Sequence, residues 1–281
     1  MVLVLIQRGT PWRYRRVRPD TRPRGMRGAV TIVFIGDIHQ QWDRIERGLS
    51  RLEVAPTAAV ILGDVQCERP LDLEAAPLLR RGIAVHWIFG NHDNDGGPGM
   101  WRNLTAAESN PLTAERTLHA KVELIDGVRI AGLGGTFRPR IWEPPSSPRL
   151  RFRSELPADV REMARGWRPE HIDALVHSLA TTAIWPEDYE YLATQRADIL
   201  VTHEAPSSHP AGSAALDALA RAMGARLIVH GHHHVNYLAT AEDGLQALGV
   251  AAAWGATETG EVVWEGEAPR HLTASPNGWA R

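Results

Sequence analysis

A chain of 281 residues, 43% of them hydrophobic, is long enough to bury a sizeable core in one large domain. Its single cysteine, Cys67, excludes an internal disulfide framework, and no apolar run approaches the ~20 residues needed to span a bilayer. Together these predict a soluble protein of a reducing, cytoplasmic compartment. The formal net charge of −2 hides an asymmetry, because residues 1–28 carry eight Arg against one Asp.

That first stretch reads as a basic leader, disordered or preceding a start at Met26. Its apolar opening, Val2 to Ile6, is too short for an export signal, and the charges follow it where they should precede it. Clustered Arg also attracts nucleic-acid phosphates in a sequence-independent way, and the Val2–Ile6 run has the composition of an added edge strand. Thirty of the thirty-one basic residues are Arg, which with the Ala richness suggests a GC-rich bacterial genome. Residues 29–270 are predicted to form the domain and 271–281 a tail.

Within the domain, short β-branched runs each end in a polar motif. Thr31 to Ile35 leads to Asp37, Ala59 to Leu62 to Asp64, and Ala84 to Phe89 to Asn91. Ile199 to Val201 leads to His203, and Leu227 to Val229 to a histidine cluster. Runs of this length read as buried strands. Between the first two, Trp42, Ile45, Leu49 and Leu52 recur at helical spacing, predicting a helix over 42–53 and hence parallel neighbouring strands. In that architecture each motif lies past the carboxyl end of its strand, where open α/β sheets bind ligands. Residues 94–111 and 137–153 read as loops at the crevice mouth. A helical, cap-like insertion spans about 137–197, with its helices between 157 and 195. Two hairpins turn at Asp126-Gly127 and Asp243-Gly244, and Val262 to Trp264 is predicted as an edge strand.

The motifs carry donor chemistry. Asp and His are ligands that borderline divalent cations take in catalytic sites, and a carboxylate is able to bridge two ions. Asp37-Ile38-His39 places two donors at i and i+2. Gly63-Asp64 alone is also a common turn signal. Gly90-Asn91-His92-Asp93 offers an amide oxygen beside a histidine with a neighbouring carboxylate. Gly231-His232-His233-His234 sets His232 and His234 on one side of an extended segment and His233 on the other.

The ordered set resembles the calcineurin-like metallophosphoesterase superfamily, and the match spans Asp37 to His234. The resemblance implies an α/β fold, a four-layer α/β/β/α sandwich of two mixed β-sheets flanked by helices. It implies that Asp37, His39 and His234 bind one metal and that Asn91, His203 and His232 bind another. Asp64 would bridge them, His92 would be the catalytic histidine and Asp93 its orienting carboxylate. The cofactors implied are two divalent ions, Mn, Fe or Zn, with manganese among the candidates. The activity implied is phosphomonoester or phosphodiester hydrolysis, by in-line attack of a metal-bridging hydroxide on phosphorus. A phosphorylated small molecule or nucleotide would be the substrate. Gly63-Asp-Val-Gln-Cys67 lacks the Val-Asp-Arg-Gly continuation of the Ser/Thr protein phosphatases, so that subclass is not implied. Arg138 and Arg140 are candidate substrate contacts, against the reading that they are solvated loop charges. The competing function is a non-catalytic metal-binding scaffold on the same fold; all seven ligand positions and His92 are present, which favours the enzyme.

Cys67, His86 and His230 read as core groups, and His209 and His233 as candidates to line the crevice. Trp101 and Trp142 lie in the two mouth loops, where packing competes with stacking on a base or sugar.

Overall fold

The computed structural model describes residues 12–15, 18–19, 31–267, 273–275 and 278–280. In chain order its elements begin with strands β1 (Trp12–Arg15), β2 (Arg18–Pro19) and β3 (Ile32–Ile35), helix α1 (Trp42–Leu49) and β4 (Ala58–Ile61). Two short helices, α2 (Leu71–Glu74) and α3 (Ala76–Leu79), precede β5 (Ala84–Trp87), α4 (Pro98–Thr105) and the hairpin of β6 (Lys121–Ile125) and β7 (Val128–Leu133). Three helices follow: α5 (Leu156–Met163), α6 (Pro169–Thr182) and α7 (Pro186–Ala193). The chain then forms β8 (Ile199–Thr202), α8 (Ala214–Met223), β9 (Leu227–His230), β10 (Tyr237–Ala241), β11 (Gln246–Gly249), β12 (Gly255–Ala256) and β13 (Glu261–Trp264).

These strands make two mixed sheets. The larger has the order β1-β10-β11-β9-β8-β7-β6 and the smaller β2-β13-β12-β3-β4-β5. The strands that deliver the motifs run parallel: β3 with β4 and β4 with β5 in one sheet, β8 with β9 in the other.

The layering follows from side-chain alternation along each strand. In the smaller sheet Ile32, Phe34, Val60 and Ile88 face a core shared with Ile130, Val201, Val229 and Leu248 of the larger sheet or its margin. Val33, Ile35, Ile61 and Val85 face the other way, onto Ile45 and Leu49 of α1, Leu78 of α3 and Leu104 of α4. On the far side of the larger sheet, Leu133, Leu200 and Ile228 pack on Leu192 of α7 and Leu216, Leu219 and Met223 of α8. Helices, sheet, sheet and helices are thus four layers, with apolar residues on both faces of the central strands. Among the described residues no helix is long and apolar enough to cross a membrane.

Four sequence expectations are corrected. Helix α1 stops at Leu49, four residues early, where Ser50 Oγ donates to the Arg47 carbonyl at 2.8 Å. The stretch 94–111 holds α4, because Pro98 presets the first turn and Leu104 reaches the core. Strand β13 is not at an edge, since β2 pairs with it on the side away from β12. Trp12–Arg15, read within a leader that is disordered or precedes a start at Met26, pairs antiparallel with β10. Trp12 Nε1 donates to Ser207 Oγ at 3.0 Å and the Tyr14 hydroxyl donates to the Ser208 carbonyl at 2.8 Å, which ties that strand to the domain. The Val2–Ile6 run and Met26 lie outside the described residues.

Candidate metal centre

All the motif segments end beside one another. Asp37, Asp64, Asp93 and His203 are almost fully buried, an unusual concentration of ionisable groups in one place. His39, Asp64, His232 and His234 adopt positive φ of 43°, 50°, 68° and 55°. Non-glycine residues held there cost conformational energy that the surrounding structure must supply, and such positions cluster at functional sites. Gly90 is required by packing, since a Cβ at that position would collide with the Asp64 carboxylate and the His203 ring.

Two donor groups emerge. Asp37, His39 and His234 form one, and Asp64, His203 and His232 the other, with the ligand atoms of each within 4.8 Å of one another. The ring tautomers are set by outward partners, as in metal sites generally. His203 Nδ1 lies 2.8 Å from the Leu62 carbonyl, to which it donates, and this turns Nε2 toward Asn91 Oδ1 at 3.1 Å and Asp64 Oδ2 at 3.3 Å. His39 Nδ1 faces Gln66 Oε1 at 2.8 Å, turning its Nε2 toward His234 Nε2 at 3.1 Å. Asp64 Oδ2 also lies 3.9 Å from His39 Nε2, so one carboxylate oxygen stands between the two groups. Asp37 accepts from the His232 backbone N–H at 2.9 Å and lies 3.9 Å from His234 Nε2.

The electrostatics match a cation site. Burial pushes Asp37 up to about 6, opposed by His203 and reinforced by Asp64. Burial likewise raises Asp93 to about 6, with Asp64 adding to the effect. For Asp64 burial is outweighed by His203 and by the His92 backbone N–H, and its carboxyl sits below the usual range. His203 would be lowered by burial, but the Asp64 and Asp37 carboxylates raise it to about 10. His232 is held down at about 3 by burial and by the neighbouring His203. Three buried carboxylates therefore share one strongly basic imidazole, a deficit of positive charge that suits a bound cation.

The structure brings all seven expected ligands together and places His92 beside them, its ring 5.7 Å from that of His39. Asp93, expected to orient His92, is engaged by backbone instead. That carboxylate accepts from the backbone N–H groups of Gly90 at 2.7 Å, Asp64 at 2.9 Å and Gln66 at 2.8 Å, stitching two motif loops together. The partner of His92 is Asp95, whose Oδ2 lies 2.6 Å from Nδ1. Arg140 is committed to Asp159 at 2.7 Å, and Arg138 buries its Nε without a hydrogen-bond partner. Sequence reasoning also missed Glu204, which follows His203 and joins His232 and His233 in a third donor group.

The remaining polar and aromatic groups behave as packing. His230 bonds the Tyr237 hydroxyl at 2.6 Å, Trp101 stands edge-on to Phe89, and Trp142 lies between Phe137 and Tyr189. Cys67 is buried, as its core reading requires.

A chain with this fold and this set of donors belongs to the calcineurin-like phosphoesterase family, whose model matches residues 30–236. A protein of Haemophilus influenzae, described as uncharacterized, is 36% identical over 208 residues, covering 73% of this chain and 84% of its own. Among solved structures, TT1561 of Thermus thermophilus aligns with a TM-score of 0.49 at 13% identity, over 83% of this chain and 97% of that one. A dimetal phosphatase from Danio rerio aligns with a TM-score of 0.47 at 13% identity, over 83% and 90% of the two chains.

Proposed function

We propose that the protein is a dinuclear-metal-dependent hydrolase of phosphoesters, acting on a phosphorylated small molecule or nucleotide. The observation that carries this reading is the position of Asp64 Oδ2, 3.9 Å from His39 Nε2 and 3.3 Å from His203 Nε2, at the junction of two donor groups. Asp37, His39 and His234 would hold one ion and Asn91, His203 and His232 the other. The donor set contains imidazole, carboxylate and amide but no thiolate, which suits Mn, Fe or Zn. When bound, two such ions supply the positive charge that attracts a phosphoryl group and activates water near neutral pH.

The chain's own residues do the rest. His92 is half-exposed at the crevice and held by Asp95, a placement for delivering a proton to the leaving oxygen or a charge to the transferring group. Asp93 fixes the backbone of both loops that present Asp64 and Asn91. Arg138 is the remaining candidate for a second phosphate contact, since Arg140 is engaged by Asp159. A cytoplasmic location accords with the one buried, unpaired cysteine.

The test is hydrolysis by the Mn-, Fe- or Zn-loaded protein across aryl phosphomonoesters, phosphodiesters and nucleotides. Chelator-sensitive turnover of at least one class is expected. A fully loaded protein inert toward all of them would overturn the enzyme reading in favour of a scaffold.

A further inference from the structure

A third donor group adjoins the family-implied pair of sites and shares His232 with the second of them. The ligand atoms of Glu204, His232 and His233 lie within 4.8 Å of one another. His233 Nε2 is buried and has no hydrogen-bond partner, and Glu204 Oε1 lies 3.8 Å from it. That distance is too long for a hydrogen bond between them. It is the distance at which two ligands stand around a shared cation. Arms of ~2.0–2.2 Å set tetrahedral ligand atoms somewhat over 3 Å apart, and facing pairs in the two main groups stand at 3.1 Å for His39 and His234, 3.3 Å for Asp64 and His203 and 3.9 Å for Asp37 and His234.

Both side chains are held where they stand. Glu204 Oε1 accepts from the Ala205 N–H at 3.0 Å. The His233 ring stacks on His209 with centroids 3.8 Å apart and planes 10° from parallel, and it lies 4.6 Å from the His232 ring. His209 is in turn placed by a turn in which its N–H donates to the Pro206 carbonyl at 3.0 Å.

We infer that Glu204 and His233 form a third divalent-cation site next to the second ion, with His232 on the boundary between them. Imidazole and carboxylate together select a borderline ion such as zinc. With only two donors of its own, the site fills after the other two and binds more weakly. Glu204 also lines a pocket of about 330 Å³ with Phe137, Glu143, Pro144, Pro145 and Ser213, so an ion there would neutralise the two carboxylates of that wall.

Equilibrium dialysis of the metal-stripped full chain against Zn²⁺, read by elemental analysis, tests this without recourse to activity. The expected result is two tight equivalents and a weaker third. Glu204→Gln and His233→Ala should each bind two. Saturation of the wild type at two, or three equivalents retained in both variants, overturns the site. A zinc-edge anomalous difference map of wild-type crystals needs no variant: a peak between Glu204 and His233 is expected, and its absence at saturating zinc overturns the proposal.

Discussion

Asp95 Oδ2 lies 2.6 Å from Nδ1 of His92, three residues earlier in the same loop. The hydrogen bond leaves Nε2 as the working atom of the ring, and both side chains are half-exposed, as a group that meets substrate must be. His92→Ala is expected to lower turnover by ~10²–10⁴, the range for a general acid or base, with bound metal unchanged. Asp95→Asn keeps the ring but loosens its aim. Its loss should be smaller, roughly tenfold, and greater for alkyl than for aryl phosphoesters, because a poor leaving group needs the proton more. Equal losses on both substrates would remove Asp95 from the proton path.

Asp64 is asked to join two ions while accepting the His92 backbone N–H at 2.8 Å. Asp64→Ala should therefore lower metal content and abolish hydrolysis together. Elemental analysis decides, since a wild type that never holds more than one Mn, Fe or Zn per chain would contradict a bridging role.

Away from the metal centre, Asp188 joins α7 to its surroundings. It lies 3.1 Å from His119 Nε2 and pairs with Arg153, which also bonds Glu187 at 2.8 Å. Burial would raise its carboxyl, but His119 and Arg153 outweigh that and lower it from 3.8 to about 2. A depressed carboxylate contributes stability that is present above its unfolded value and is lost as pH falls through its folded one. Asp188→Asn should thus cost up to about 2 kcal/mol at neutral pH. Thermal unfolding should show the gap from wild type closing as pH falls from 3.8 to about 2. A gap that does not depend on pH would assign the loss to packing instead.

Strand β1 changes the expectation for a shortened protein. A chain beginning at Met26 keeps every ligand but loses β1, exposing the edge of β10. It should melt lower than the full chain and aggregate more readily. Trp12→Ala alone, which removes the bond to Ser207 and a half-buried ring, should cost roughly 1–2 kcal/mol. Equal melting of the full and shortened chains would show that the strand adds nothing.

The ligands are legible in the sequence because each ends a β-branched run, and parallel topology gathers strand ends at one rim. The contact of Asp95 with His92 is not. Two acids follow His92, and spacing alone favours the adjacent one, whereas a turn in which Asp95 N–H donates to the His92 carbonyl at 3.2 Å brings the later carboxylate back to the ring. Glu204 lacks a sequence signal because its partner His233 arrives from the end of a different strand. Strand β1 does carry a signal: Trp12-Arg-Tyr-Arg15 alternates aromatic with charged residues at the period of a strand, but the surrounding Arg and Pro mask it.

Both sheets are completed by segments from opposite ends of the sequence. Strand β1 pairs with residues 238–241, and β12, at residues 255–256, lies against β3 at Phe34 and Ile35. During synthesis neither arrangement is attainable until residues 238–256 have left the ribosome. The early strands β3 to β5 must wait with one flank uncovered. Loop-closure entropy over some two hundred residues is met late, which predicts slow completion of the fold and a nascent chain dependent on holding chaperones.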